Sequence, residues 1–491
     1  MKKTILILDC GATNVKACLV DSTGNIIASH SLPNETVVDP NFTGGLIWDI
    51  EDIWTKLSAC SRKVCAAAEG GEIIAVTVTT FGVDGAALKK DGTLCYPVIS
   101  WQCPRTEKIE KNISKYFDPE WLYHTTGLQS YHFNTINKLI WLRENRPDVL
   151  DEMDYYVMMA SLILQRLSGE FVTDTTMAGT SMLTDIKKRS FSAEILKPLG
   201  LSSAIFPPMT EPGSVIGETT REAAEKLGIK PGIAVIASGH DTQFAILGSG
   251  AGINQPVLSS GTWEILMVRA KARSLQIPSK EAGVTIELDT QPGIVNIGIQ
   301  WVASGVLEWL SRLLYPDISE WSARYSAMIH EAADIPAGSN GVTITPEIFP
   351  GGLSGKPGSI GGFTHETTRA HIYRAGLEAL SYYACYGLEK LQLVGNYKAK
   401  NVICVGGGSK NPLWNQIRAD VMGIPVKALD MKETTALGAA LVALTGMGIY
   451  KSIEEAFAAM ESSYMEYKPG KNQDKLKELY GEFVEQVFKQ K

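Results

Sequence analysis

Four short segments of the chain carry residues able to grip phosphate or to take a proton. Asp9-Cys-Gly-Ala-Thr-Asn14 follows an apolar run over residues 4–8. A carboxylate at the end of a buried strand can hold a hydrated Mg²⁺. Gly11 lets the backbone approach a phosphate, and the N–H groups after it and the Thr13 hydroxyl can donate to its oxygens. Lys16 can add a positive charge beside them. By itself the segment reads equally as a β-turn built on an Asp and a Gly. Ser238-Gly-His-Asp241-Thr follows a second apolar run, residues 232–237. Asp241 there is either the cap of a following helix or a general base at a strand end. One acceptor suffices for an alcohol that attacks a phosphate, which leaves His240 as a neighbour of that acceptor. Ser259-Ser-Gly-Thr-Trp263 offers Gly261 and Thr262 as a second set of phosphate contacts, or as a hairpin turn. Gly406-Gly-Gly-Ser-Lys-Asn411 has three glycines (Gly406, Gly407, Gly408) that permit close approach of a phosphate or a flat ligand.

Other phosphate-binding arrangements are absent. No GxGxxG opens a helix, Gly355-Lys356 is followed by Pro357 and so is no P-loop, and HRD and DFG are missing.

The elements that must position these loops alternate between strand and helix. Apolar and β-branched runs predict strands over 4–8, 15–20, from 26, 72–80, 232–237, 257–268, 283–296 and 401–405. Periodicity predicts helices over 52–68, within 119–167, over 369–393, 412–422 and 474–489. Residues 173–185 are Thr-rich and read as irregular, and 350–362 as a Gly/Pro-rich loop. No short repeat is visible.

At 491 residues the chain exceeds what one core supports, so two large α/β domains are expected, with the best boundary at Gly248-Ser-Gly-Ala-Gly252. Net charge is −7, from 46 basic and 53 acidic residues, which gives no reason to expect nucleic acid as a partner. Eight scattered cysteines form no CxxC pair and read as free thiols of a reducing cytosol. The first residues are too short an apolar run for a signal peptide, and residues 436–449 are broken by Gly438, Gly446 and Gly448, so no membrane span is expected. A cytoplasmic protein is the expectation. The oligomeric state stays open, and a homodimer is compatible with the sequence.

The order of Asp9, Asp241, Gly261 and Gly406 resembles that of the phosphate, catalytic and adenosine motifs of the FGGY family of sugar kinases. Phe133-Asn-Thr-Ile-Asn-Lys138-Leu-Ile-Trp141-Leu-Arg-Glu-Asn145 matches the family's first signature, and Arg369-Ala-His-Ile-Tyr-Arg-Ala-Gly-Leu-Glu378 resembles its second. The resemblance spans about residues 4–460. One departure is Gly355-Lys356-Pro357, where many members carry Gly-Glu-Arg-x-Pro. The resemblance implies two actin-like (ribonuclease-H-like) α/β domains with an interdomain cleft. Residues 1–247 would carry the sugar site, the base and the first phosphate motif. Residues 248–491 would carry the second phosphate motif and the adenosine site.

It further implies ATP as phosphoryl donor and Mg²⁺ as cofactor. Asp241 would be the base, and Asp9 with Asp241 would hold the metal. Gly11, Thr13, Asn14, Lys16, Gly261 and Thr262 would contact phosphate, and Gly406, Gly407, Gly408 and Asn411 the adenosine side. Gly82-Val83-Asp84 with Trp101 and Asp241 would line the sugar pocket, where Asp84 can accept from two hydroxyls. Gly-Val-Asp, Ser-Gly-Thr-Trp and His-Asp-Thr together resemble the branch that acts on 6-deoxy ketoses. Cys103 stands where the L-rhamnulose enzymes carry Asp, which favours L-fuculose as substrate, with L-rhamnulose or a pentulose as the alternative. A rival from another class is a nucleotide-driven conformational protein of the actin or Hsp70 kind. It would share the phosphate loops but would need neither Asp84 nor the Lys138 signature.

Overall fold

The computed structural model describes residues 2–67, 71–348, 353–430, 433–460 and 463–489. Residue 68, the end of the predicted first helix, and residues 350–352 of the predicted Gly/Pro loop lie outside the described residues. The chain divides into two compact units. The first comprises Met1–Gly252, Thr285–Asn296 and Glu433–Glu461. The second comprises Ile253–Val284, Ile297–Lys432 and Ser462–Lys491.

The first unit is built on strands β1 (Lys2–Cys10), β2 (Asn14–Asp21), β3 (Ile26–Pro33), β4 (Gly71–Thr80), β5 (Val215–Glu218) and β6 (Ala234–Ile236). Their order across the sheet is β5-β6-β4-β1-β2-β3. The three central strands β6, β4 and β1 run parallel, while β2, β3 and β5 run antiparallel to their neighbours. Ile5, Leu6, Ile7 and Leu8 of β1 are all inaccessible to solvent. Such continuous burial, without alternation, marks a parallel strand covered on both faces. The helix Ile50–Ala67 turns Ile53, Leu57, Cys60 and Val64 inward at helical spacing and joins the same apolar cluster as Leu6 and Leu8. The helix Thr434–Gly446 returns to this unit late in the chain and is buried continuously from Ala436 to Leu444.

The Thr-rich stretch expected to be irregular forms a short strand, Thr173–Asp174, and a helix, Thr175–Gly179, whose first turn is capped by Asp174. Every residue of that helix is buried, so no amphipathic pattern announces it.

The second unit holds β7 (Val257–Ser260), β8 (Trp263–Lys271), β9 (Ile294–Val302, of which residues 297–302 belong to this unit), β10 (Val402–Val405), β11 (Val426–Leu429) and β12 (Tyr464–Tyr467). They lie in the order β9-β8-β7-β10-β11-β12. Again three adjacent strands, β7, β10 and β11, run parallel, with antiparallel β8 and β12 on either side. The same succession of strands is thus built twice. The long helix Arg369–Gly395 is buried along most of its length. The last helix, Gln473–Val484, turns Leu476, Tyr480 and Phe483 inward and ends in a π-helical turn, Glu485–Lys489. Among the described residues no helix is long and apolar enough to cross a membrane.

Candidate active site

In the first unit the candidate carboxylates follow the carboxyl ends of three neighbouring parallel strands, where open α/β sheets place ligand sites. Asp9 is the penultimate residue of β1, Asp84 follows β4, and Asp241 follows β6. Sheet register sets Asp9 opposite Lys16 of β2 and beside Thr79 of β4. The Thr79 hydroxyl donates to Asp9 Oδ1 at 2.9 Å. Burial, then the like charge of Asp241, pushes the Asp9 carboxyl up to about 6. Lys16 pairs with Glu433 at 2.5 Å. Burial works against the Lys16 charge, but Glu433 outweighs it and holds the ammonium above its usual value.

The turn after β1 is closed by the Gly11 N–H donating to Asn14 O at 2.9 Å. Asn34 braces it, its N–H reaching Thr13 O and its side-chain amide reaching Gly11 O, each at 2.9 Å. Thr13 and Asn14 stay exposed.

Asp241 opens the helix Asp241–Gly248, with His240 at the cap position. The segment before it continues β6 alongside β4: His240 bridges Thr80, and the Thr80 N–H donates to Gly239 O at 3.0 Å. Asp241 Oδ1 accepts from the Thr242 N–H at 2.6 Å. Burial raises the Asp241 carboxyl above the usual carboxylate range, opposed by His240. The His240 ring stands between two carboxylates, Nε2 lying 3.5 Å from Asp241 Oδ1 and Nδ1 lying 3.5 Å from Glu287 Oε2. Burial disfavours a charged imidazole, yet Glu287 and Asp241 together hold its pKa above the ordinary value. Glu287 belongs to the Thr285–Asn296 segment of this unit and also accepts from Gln243 at 3.0 Å.

The Gly82-Val83-Asp84 loop is held under strain. Val83 has φ = 65°, a left-handed conformation that a β-branched residue rarely adopts. Three contacts over-determine it: the Val83 N–H donates to Thr180 Oγ1 at 2.9 Å, and Val83 O accepts from Thr135 at 2.7 Å and from Lys138 at 3.0 Å. Asp84 is fully buried. It pairs with Lys138 and also accepts from Trp48 Nε1 at 2.6 Å and the Trp101 N–H at 3.1 Å. A carboxylate offers about four acceptor positions, and the protein fills three of them. The expectation that Asp84 accepts two hydroxyls therefore meets room for one, and its carboxylate chiefly braces the loop. A Cβ on Gly82 would lie 3.1 Å from His240 Nε2, so this loop abuts the segment that carries His240 and Asp241. Trp101 is half-buried and meets Phe133 edge-on at 6.3 Å, and Phe133 stacks on Tyr131.

The remaining candidates belong to the second unit. Gly261 and Thr262 form the turn between β7 and β8, and their carbonyls accept from the backbone of residues 303–305 at 2.9–3.2 Å. The Thr262 side chain stays exposed. Gly406 and Gly408 follow β10, beside β7. Gly406 has φ = 87°, and a Cβ on Gly408 would come within 2.0 Å of Ser260 Oγ. Gly407 is open. Asn411 is fully buried and caps the helix Pro412–Met422, accepting from the Trp414 N–H at 3.1 Å, so it shapes the loop from beneath. Under both loops lies a network that the motifs did not indicate. Arg418 pairs with Glu264, both fully buried, and donates to Ser260 Oγ at 2.9 Å. Trp301 donates to Glu264 at 3.0 Å.

Sequence reasoning also missed Glu433, Glu287 and the aromatic pair Tyr131 and Phe133. Phe133 stood at the head of the signature segment, and its neighbour was the available signal.

Comparison with known proteins identifies the family. Residues 4–248 match the family model for the N-terminal domain of FGGY carbohydrate kinases, and residues 257–447 match that for the C-terminal domain. The chain is 43% identical to L-fuculokinase of Escherichia coli (strain K12), over 99% of this chain and 100% of that protein. It is also 43% identical to L-fuculokinase of Haemophilus influenzae, over 93% and 97%. Its fold is like that of xylulose kinase from Rhodospirillum rubrum, with a TM-score of 0.88, 22% identity and 99% of each chain covered. With both domains matched and full-length identity above 40%, the chain belongs to the FGGY family of carbohydrate kinases, ATP-using phosphotransferases with an alcohol group as acceptor.

Proposed function

We propose that the protein transfers the γ-phosphoryl group of ATP to the 1-hydroxyl of L-fuculose, in the cytoplasm, as a step of deoxysugar catabolism. The observation that carries the sugar assignment is the 43% identity to an L-fuculokinase along both whole chains. In this reading residues 1–247 hold the ketose and the base, and residues 248–491 supply the second phosphate loop and the adenosine site.

Asp241 accepts the proton of the sugar 1-hydroxyl, whose oxygen attacks the γ-phosphorus in line. Lys16, Thr13 and Asn14 are the phosphate-orienting groups of the first unit, and Gly261, Thr262 and the Gly406–Gly408 loop are the nucleotide-contacting groups of the second. Gly82 offers a backbone group to the sugar, Val83 (whose own N–H and carbonyl are already bonded) and Asp84 fix the direction of the loop, and Trp101 with Phe133 presents an apolar wall to the ring and its methyl carbon. The task is positioning and charge stabilisation more than covalent chemistry.

Asp9 and Asp241 suit a divalent cation: both carboxyls are buried, the charge of Asp241 raises Asp9, and a cation held there would relieve that repulsion. Among the described residues no three or more His, Cys, Asp or Glu gather as a closed metal cage. The two carboxylates suit Mg²⁺, which is held by one or two carboxylates, water and substrate phosphate. When bound, Mg²⁺ neutralises charge on the β- and γ-oxygens.

The test is an ADP-release assay over L-fuculose, L-rhamnulose, D-ribulose and D-xylulose. The highest kcat/KM belongs to L-fuculose in this account. A higher value for L-rhamnulose or a pentulose overturns the sugar assignment, and ADP release indifferent to all four favours the conformational ATPase.

A further inference from the structure

Asp174 has no part in the reaction as set out above, yet it packs directly against Gly239 of the segment that carries the base. Its side chain is fully buried, and Oδ2 has no hydrogen-bond partner, a costly state for a carboxylate. Oδ1 accepts from the Thr176 hydroxyl and, at 3.0 Å, from the Met177 N–H. The Thr176 oxygen in turn accepts from the His240 N–H at 2.9 Å. A Cβ on Gly239 would lie 1.9 Å from Asp174 Oδ1 and 2.5 Å from Thr176 Oγ1, so only glycine lets the two strands of this contact approach so closely.

The other side of the segment is tied to β4, through the Thr80 N–H to Gly239 O and the Ser238 hydroxyl on the Val78 backbone. We infer that Asp174 and Thr176 are positioning residues for phosphoryl transfer: the series from His240 N–H to Thr176 hydroxyl to Asp174 carboxylate fixes the Gly239–His240 peptide, one residue ahead of Asp241, and so aims the base. Direction follows from the donors available. The Thr176 hydroxyl has one proton, spent on Asp174, so its lone pairs are turned toward His240. A charged terminal acceptor strengthens both bonds of the series. The inference rests on Asp241 being the base, but not on which ketose is used.

The experiment compares Thr176→Val, which keeps the shape and loses the hydroxyl, with Thr176→Ser, which keeps the hydroxyl. Two readouts are taken on the full chain: kcat and KM for ATP and L-fuculose, and amide hydrogen exchange of residues 238–242 without substrate. Thr176→Val is expected to lose about 10- to 100-fold in kcat, the scale of a displaced catalytic group, with KM for ATP within about twofold. Exchange at the His240 amide speeds up about fivefold, as for one lost hydrogen bond. Thr176→Ser restores both to within about threefold. Wild-type kcat and protection in Thr176→Val overturn the inference, as do equal losses in the Val and Ser variants, which a packing role alone would give. Because exchange is read without sugar, a wrong choice of ketose would leave that arm standing.

Discussion

Replacing Lys138 by Met should destabilise the first unit severely, because it strands a buried charge. Asp84 and Lys138 are 0% and 1% exposed, and among the described residues Lys138 supplies the only cation donating to that carboxylate. Methionine fills the same volume, so the change is one of charge and not of cavity. Removing one partner of a buried ion pair costs about 3–5 kcal/mol. For a unit of about 290 residues, with roughly 2.1 cal/mol/K of unfolding entropy per residue, each kcal/mol moves the midpoint by about 1.5–2 °C, so the transition of this unit should fall by roughly 5–10 °C. Val83 also loses the Lys138 contact that holds its left-handed backbone, so KM for the sugar should rise. Scanning calorimetry reads the midpoint, and the double variant Asp84→Asn/Lys138→Met separates the terms. With the charge gone from both sides, it should recover more than half of the loss. A Lys138→Met midpoint within about 2 °C of wild type, or a double variant worse than the single one, would refute the reasoning.

Three other outcomes follow from the geometry. Burial holds the Asp174 carboxyl at about 6, against roughly 3.8 unfolded, so the folded state binds the extra proton and stability falls as pH rises from about 4 through 6. Asp174→Asn removes that dependence, so the variant should gain on wild type by up to roughly 3 kcal/mol between pH 4 and 7 in urea titrations, and a constant difference across that range would contradict it. Gly408→Ala drives a methyl into Ser260 Oγ, which the Arg418–Glu264 network holds, and should raise KM for ATP about tenfold while KM for the sugar stays within about twofold. Chelation of divalent metal should lower the rate at least 100-fold and leave the melting midpoint within about 2 °C. Added Mg²⁺ should restore the rate.

The loops that carry Asp9, Asp241 and Gly406 were legible because each breaks a continuous apolar run with glycine and polar residues, which is how a buried parallel strand meets its ligand loop. The fold was legible through the family signature around Lys138 more than through periodicity. The doubled strand succession left no trace as a sequence repeat, since sheet order constrains hydrophobic pattern and not residue identity. Glu433 could not be read as the partner of Lys16 across 417 positions, nor Glu287 as the neighbour of His240, because such contacts have no local period. The left-handed Val83 was hidden for the opposite reason: its residue type argues against the conformation that Thr180, Thr135 and Lys138 impose.

The central claim is that one carboxylate, Asp241, takes the sugar proton. Asp241→Asn keeps the volume of the side chain and its acceptor for the Thr242 N–H while removing the base. Its kcat should fall by at least about 10², the usual worth of a general base, with Kd for ATP within about threefold of wild type. Turnover within about threefold of wild type would show that another group takes the proton.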